Sequence, residues 1–283
     1  MLTERVETHD TTVPVWRACL LSASMSWLHV ESSENVRRIV IDRPERKNAI
    51  PADGWPLLTE AFVDFENSDD RVLVITGAGG EFCAGADLDP ERFDGTTAIA
   101  DGHRRMKLVE RAATALHRCT KPTIAAVDGV AVGAGMNLAL GCDVVIASDR
   151  ARFSEIFVRR GLTVDFGGTW LLPRIVGLQR AKELVLSGRM VGAEEALALG
   201  LCIEVVAAGE LEERANQLAD SFLAGAPIAQ MFAKQGIDAA FESSFFESIS
   251  WEGQSQSIAF GTEDVIEGVA AFLQKRDPQW RGR

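Results

Sequence analysis

The chain is poor in the residues that mark several function classes. It has four histidines, His9, His29, His103 and His117, and five cysteines, Cys19, Cys83, Cys119, Cys142 and Cys202, with no pair at metal-ligand spacing. No metal site is therefore expected, and the cysteines, mostly set in apolar runs, read as buried free thiols in a reducing, cytoplasmic setting. Basic residues are scarce too: 29 Lys and Arg stand against 41 Asp and Glu, a formal net charge of -12. That balance is a poor fit to a broad nucleic-acid footprint, although a local basic patch still suits an anionic substrate. No low-complexity tract, long charge block or heptad repeat points to a scaffold or filament. The segment VPVWRACLLSASMSWLHV at 13–30 is interrupted by Arg17 and studded with polar residues, so it is too short and polar for a membrane span.

What is present suits an enzyme-sized core. The 283 residues are 47% hydrophobic, enough to bury one main domain. Residues 1–26 read as an N-terminal extension, 27–208 as the core, and 209–283 as a helical C-terminal region. From Trp27, two short extended segments flank a polar turn. Helix patterns follow at 54–66, 102–118 and 134–142, alternating with strand patterns at 71–77, 123–129 and 143–149. Strands alternating with helices at this spacing predict an α/β core with buried strands. Beyond 179 the segments 179–188, 192–200, 209–235 and 262–275 read as helices, with too few apolar strands to extend the sheet.

Two Gly-rich turns, GEFCAGADLD at 80–89 and VDGVAVGAGMNLALG at 127–141, each follow a strand. Small residues there let a ligand approach backbone amides closely, and two amides from different loops can converge on one oxygen. Neither turn has dinucleotide or P-loop spacing, and tight packing alone explains either one. Asp165, in GLTVDFGG, stands at a further turn among apolar residues; it is either a working acid or base or a cap for the helix after it.

Taken together, RPERKNAI at 43–50, ITGAGGEFCAGADL at 75–88, VDGVAVGAGMNLALGCDVVIAS at 127–148 and GLTVDFGGTWLLPRIVG at 161–177 closely resemble the enoyl-CoA hydratase/isomerase, or crotonase, family. The resemblance implies an α/β spiral of repeated ββα units with a helical C-terminal trimerisation region, assembled as a homotrimer or a dimer of trimers. It implies an acyl-CoA thioester substrate and no tightly bound cofactor, coenzyme A being part of the substrate. The thioester oxygen would be held by the amides of Ala86 and Ala134. Coenzyme A would pass Lys47 and Ala49, with its adenine at the backbone of Ala84, Asp87 and Leu88. Gly133, Asn137 and Phe157 would line the acyl site, and Phe260 and Lys275 would help enclose the pantetheine or phosphates, in some relatives from a neighbouring subunit.

By the same resemblance, hydratases place two glutamates where this chain has Asn137 and Phe157. An amide is no carboxylate base and a phenyl ring exchanges no proton, so two-acid hydration is poorly supported. Moving the register to use Glu155 instead would displace Phe153 and Gly161, and Glu155 is expected to face solvent or to support from outside the site. Asp165 matches the single acid of an isomerase subgroup and also the nucleophile of aromatic acyl-CoA dehalogenases. The expected activity is conversion of a 3-enoyl-CoA to a trans-2-enoyl-CoA with Asp165 as acid and base, Phe157, Phe166 and Trp170 supplying apolar neighbours. The alternatives are atypical hydration, dehalogenation or thioester hydrolysis, and acyl-CoA binding without catalysis. Arg104, Arg105, Lys107, His103 and His117 are expected on an ordinary helix face or in packing roles.

Overall fold

A computed structural model describes residues 27–88 and 99–283. The expected extension at 1–26 and residues 89–98 lie outside the described residues. The chain opens with a hairpin, β1 (Leu28–Ser33) and β2 (Val36–Ile41), joined by Glu34 and Asn35 at φ 53° and 65°. Two successive left-handed residues give the tight turn that matches strand twist. Helix α1 (Gly54–Glu66) buries Trp55, Leu58, Phe62 and Phe65 at helical spacing. It leads to β3 (Val72–Gly77), then α2 (Ile99–His117) and β4 (Thr123–Val127).

Next come the short β5 (Val130–Val132), α3 (Ala134–Leu140), β6 (Val144–Ser148), β7 (Arg152–Ser154) and a 3-10 turn at Ile156–Arg160. Helices α4 (Gly168–Val176) and α5 (Leu178–Ser187), β8 (Val191–Gly192), α6 (Ala193–Leu199) and β9 (Glu204–Val206) complete the sheets. The main sheet runs β1-β2-β3-β4-β6-β9, parallel beyond the first hairpin, and a second sheet runs β5-β7-β8. A long strand, a short strand in the other sheet and a helix thus recur as β4-β5-α3 and again from β6 and β7 to α4. Cys83, bridged in parallel to Ala131, extends the pattern back to the segment after β3. The ββα spiral expected from the resemblance is present.

Period-two alternation covers both faces of the sheet. Leu73 and Ile75 enter the main core, whereas Val72 and Val74 face the other way, against Leu211, Ala215, Leu218 and Ala219 of α7 (Leu211–Leu223). The segment read as one helix from 209 to 235 is two, α7 and α8 (Pro227–Asp238), broken at Gly225 with Pro227 in the first turn of the second. Helix α9 (Phe245–Ala259) was not expected from the sequence; it starts with a capping box between Ser244 and Glu247. Helix α10 (Glu263–Gln274) ends the fold. The expectation that the sheet gains no strand after 179 is corrected by β9, whose three residues pair with β6 despite being only partly buried. No described helix is long and apolar enough to cross a membrane.

Candidate active site

The two Gly-rich turns meet. Cys83 N–H donates to Val130 O at 2.8 Å and Val132 N–H to Cys83 O at 3.0 Å, which locks the first turn beside β5. On the other side, Ile50 N–H donates to Gly85 O and Asp87 N–H to Ile50 O, both at 2.8 Å. That ladder skips Ala86, whose N–H has no acceptor among the described residues. Ala134 is the first residue of α3, so its N–H has no intrahelical partner either. Gly85 (φ 86°) brings the turns together: a Cβ there would lie 2.8 Å from Val132 O and 3.3 Å from Ala134 N. Two uncommitted amides from two units of the spiral therefore sit at one junction, an arrangement suited to an anionic oxygen.

That junction tolerates no added atom. A Cβ built at Gly135 overlaps the Cys83 carbonyl oxygen. Gly135→Ala is expected to destabilise the protein by about 3 kcal/mol through overpacking of backbone on backbone. Urea denaturation of the purified variant measures it; an unchanged midpoint would show that the turns move apart without cost.

Asp165 occupies the turn before α4. Its carbonyl accepts from Asn137 Nδ2–H at 2.9 Å and from Gly168 N–H at 3.0 Å. Phe166 and Gly167 take φ 50° and 83°, turning the chain sharply into the helix. The N-cap of α4 is Gly167 and no side chain caps it, so the capping role considered for Asp165 is excluded. Its Oδ1 is instead buried with no hydrogen-bond partner. Burial lifts the carboxyl from its ordinary 3.8 to about 6.

Asp165 lies on the wall of a cavity of about 520 Å³ between α2 and the turn leading into α4. Val109, Ala113, Trp170 and Leu171 supply apolar wall, and His117 shares it, its ring meeting Trp170 edge-on at 5.2 Å. His117 thus packs, as expected, but in the same cavity as Asp165. Arg174 stacks over the Trp170 ring at 3.7 Å, and the indole N–H donates to Glu242 Oε1 at 3.3 Å. Of the three apolar neighbours expected for Asp165, Trp170 lines the cavity beside it. Phe166 lines the cavity as well while packing on Trp55, centroids 5.9 Å apart. Phe157 is not on that wall: it is 6% exposed and lies against Gly133, where a Cβ would meet its ring at 3.5 Å.

Of the two roles expected for Glu155, the structure excludes solvent exposure and leaves support from outside the site. The residue is 1% exposed, on the turn after β7. Asn137 Nδ2–H donates to its Oε2 at 3.4 Å, its Oε1 has no partner, and burial with the nearby Asp165 charge lifts its carboxyl from 4.5 to about 8. Asn137, wholly buried, is bonded through Nδ2 but leaves Oδ1 unpartnered, so its hydrogen-bonding capacity is not filled. Hydrophobic periodicity held no signal for Glu155, since the turn that buries it belongs to neither a regular strand nor an α-helix.

The residues expected around coenzyme A lie near the first turn. Lys47, at φ 50°, is exposed and donates to Glu81 Oε1 at 3.0 Å, while Ala49 is buried and its carbonyl accepts from Arg43 at 2.6 Å. Arg43 and Arg46, which the sequence reading did not select, both pair with Asp87 and hold its carboxyl below the ordinary range. The N–H groups of Ala84 and Asp87 are committed to Lys47 O and Ile50 O, which leaves their carbonyls to meet a donor. Leu88 is 39% exposed beside them. Phe260 and Lys275 cap α9 and α10 on the exposed C-terminal surface and do not line the cavity.

Comparison with known proteins agrees with this geometry. The model of the enoyl-CoA hydratase/isomerase family matches residues 31–283. The 1,2-epoxyphenylacetyl-CoA isomerase of Escherichia coli K12 is 38% identical over 257 residues, 90% of this chain and 97% of that one. A short-chain-enoyl-CoA hydratase of Clostridium acetobutylicum is 34% identical over 249 residues, covering 87% and 94%. Among solved structures, an enoyl-CoA hydratase/isomerase of Cupriavidus metallidurans CH34 superposes with a TM-score of 0.84 at 39% identity, covering 92% of this chain and 97% of the other. With its crotonase fold and a family match spanning nearly all the described residues, this chain belongs to the enoyl-CoA hydratase/isomerase family of enzymes.

Proposed function

We propose that the protein isomerises a 3-enoyl-CoA to the trans-2-enoyl-CoA. The observation that carries this reading is the placement of Asp165: a carboxylate with no cation paired to it among the described residues, one oxygen unpartnered, on the wall of an apolar cavity. Asn137 and Phe157 stand at the positions that the family resemblance assigns to the hydratase glutamates, and neither transfers a proton.

In the proposed reaction Asp165 takes a proton from C2, and the C–H electron pair becomes the C1–C2 double bond of a dienolate. The carbonyl π pair moves to the thioester oxygen, whose negative charge is held by the Ala86 and Ala134 amides. As the carbonyl re-forms, the C1–C2 pair shifts to become the C2–C3 double bond, and the former C3–C4 pair takes the proton from Asp165 at C4. No oxidant, reductant or water is consumed. A desolvated carboxylate is a stronger base than one in water, and its raised proton affinity places it near the range where uptake and return are both efficient. Each amide donor at the oxyanion contributes about 3 kcal/mol to the transition state.

The acyl-CoA itself is proposed to lie along Lys47, Ala49, Ala84, Asp87 and Leu88, with Gly133, Asn137 and Phe157 near the acyl end. Lys47 offers a charge for phosphate, and the Ala84 and Asp87 carbonyls are acceptors for an exocyclic amine. Phe260 and Lys275 would act from the C-terminal helices. Assembly as a homotrimer, or a pair of trimers, is supported by the apolar side chains that α9 and α10 leave bare, with Phe246 and Phe272 each 82% exposed. Four buried thiols, Cys83, Cys119, Cys142 and Cys202, suit a reducing, cytoplasmic compartment.

Hydration is the second reading, favoured by one observation, the burial of a second carboxyl, Glu155, near Asp165. Glu155 is not on the cavity wall, which counts against it as a water activator. A panel of 3-enoyl-, 2-enoyl-, aryl- and halogenated aryl-CoA substrates tests the proposal. Appearance of the conjugated thioester from the 3-enoyl substrate is expected. Hydroxyacyl-CoA formation alone, loss of halide, or binding without C2 proton exchange would each replace it with the corresponding rival.

A further inference from the structure

Three buried oxygens lack a hydrogen-bond partner in one neighbourhood: Asn137 Oδ1, Glu155 Oε1 and Asp165 Oδ1. All three are acceptors if both acids are ionised, and such orphans are costly. Asn137 is the residue between the two acids. One Nδ2 atom faces both the Asp165 carbonyl at 2.9 Å and Glu155 Oε2 at 3.4 Å, and an amide nitrogen carries two hydrogens. Among the described residues no cation compensates Glu155. Asp165 is the charge that acts on it, and the nearby Arg159 and Arg160 are exposed, with Arg159 bonded to Ser187 O.

We propose that Glu155 is a positioning residue: its carboxyl stays protonated and pairs head-to-head with the Asn137 amide, so that the second amide hydrogen holds the Asp165 carbonyl and fixes the base. In this arrangement Asn137 Nδ2–H donates to Glu155 Oε2 and the Glu155 Oε1–H donates to Asn137 Oδ1. One proton removes two of the three orphans at once. The oxygen left over is Asp165 Oδ1, and an unpartnered oxygen is what a base aimed at a carbon acid requires. Gly168 belongs to the same device, because a Cβ built there overlaps the Asn137 amide. The raised proton affinity of Glu155, from burial first and the neighbouring Asp165 charge next, agrees with a carboxyl kept neutral near pH 7.

The role assigned to Glu155 rests on Asp165 being the base, but the pairing has a readout that does not. Infrared spectra of the parent minus Glu155→Gln at pH 7 are expected to contain the C=O stretch of a protonated carboxylic acid; its absence overturns the proposal whatever the reaction. Glutamine reproduces the pair, its N–H₂ facing Asn137 Oδ1 and its carbonyl facing Nδ2. Glu155→Gln should therefore keep kcat, and should lack the activity decline expected of the parent as pH rises through about 8. Glu155→Leu cannot pair, and its kcat should fall about tenfold with KM little changed. A loss in the Gln variant as large as in the Leu variant would mean that the acid itself reacts, and would sink the positioning role. Folding stability gives an independent check. A carboxyl whose folded value is raised contributes stability below its ordinary value of 4.5 that is lost as pH rises through about 8. The parent should therefore weaken relative to Glu155→Gln across that window. If the parent isomerises nothing, the reaction reading fails, and the infrared band and the stability profile still decide the pairing.

Discussion

Asp165→Asn is expected to abolish double-bond migration, by about a hundred- to ten-thousand-fold in kcat, with acyl-CoA affinity retained. Asparagine has nearly the same shape, so the contacts of the turn survive: the bonds from Asn137 and Gly168 go to the backbone carbonyl, not to the carboxylate. What disappears is the only proton carrier proposed to face C2 and C4. The parent's kcat/KM should rise with pH through about 6, since the base works ionised and its proton affinity is lifted to that value by burial. The variant should show no such limb. Kinetics with a 3-enoyl-CoA, together with calorimetric titration of a saturated acyl-CoA, separates turnover from binding. Full turnover by the variant would remove Asp165 from the mechanism.

The same substitution carries a stability signature of known sign. The folded value of Asp165 is raised from 3.8 to about 6, so its contribution is present below 3.8 and lost as pH rises through 6. At pH 7 the parent holds a desolvated charge that asparagine lacks. Asp165→Asn should therefore unfold at higher urea than the parent at pH 7 and at nearly the same urea at pH 3.5. A site that is less stable than its inactive variant is what a working carboxylate in an apolar wall predicts.

Ala134→Pro is the second large effect, an expected loss of about a hundred- to a thousand-fold in kcat. The first helical position is where proline is tolerated, because the N–H it removes has no intrahelical partner. Gly133, at φ 58° and ψ −127°, also lies outside the α region that a following proline disfavours. The change therefore deletes a donor and leaves the hydrogen bonds of the helix intact, while its ring carbons enter the junction of the two turns. Circular dichroism and subunit assembly should match the parent while turnover falls. If turnover persists, the oxyanion is held elsewhere.

The two Gly-rich turns were legible because they are local. A strand pattern followed by small residues specifies a turn whose amides are free, and the structure places those turns side by side through the Cys83–Ala131 bridge. Helix α9 was legible in principle, since Ser244 and Glu247 spell a capping box, but its apolar residues Phe245, Phe246 and Ile249 stay exposed in the single chain and break the amphipathic pattern. Strand β9 was not legible: three half-buried residues carry too little periodicity to stand out from the helices around them. The burial of Glu155 was not legible for the reverse reason. A carboxylate on an irregular turn is normally solvated, and here α3 sets Asn137 against it from a segment 18 residues away.

The amino-acid sequence by itself determined the family, the alternation of strands and helices in the core and the candidate base, because each is written in short stretches where neighbouring residues decide turn, strand or helix. Only the tertiary structure decided which acids lose their water. Packing α3, β7 and the turn before α4 together buries Glu155 and one oxygen of Asp165 where no described residue pairs a cation with either, and desolvation, which depends on surroundings in space and not on neighbours in the chain, then sets how tightly each holds its proton.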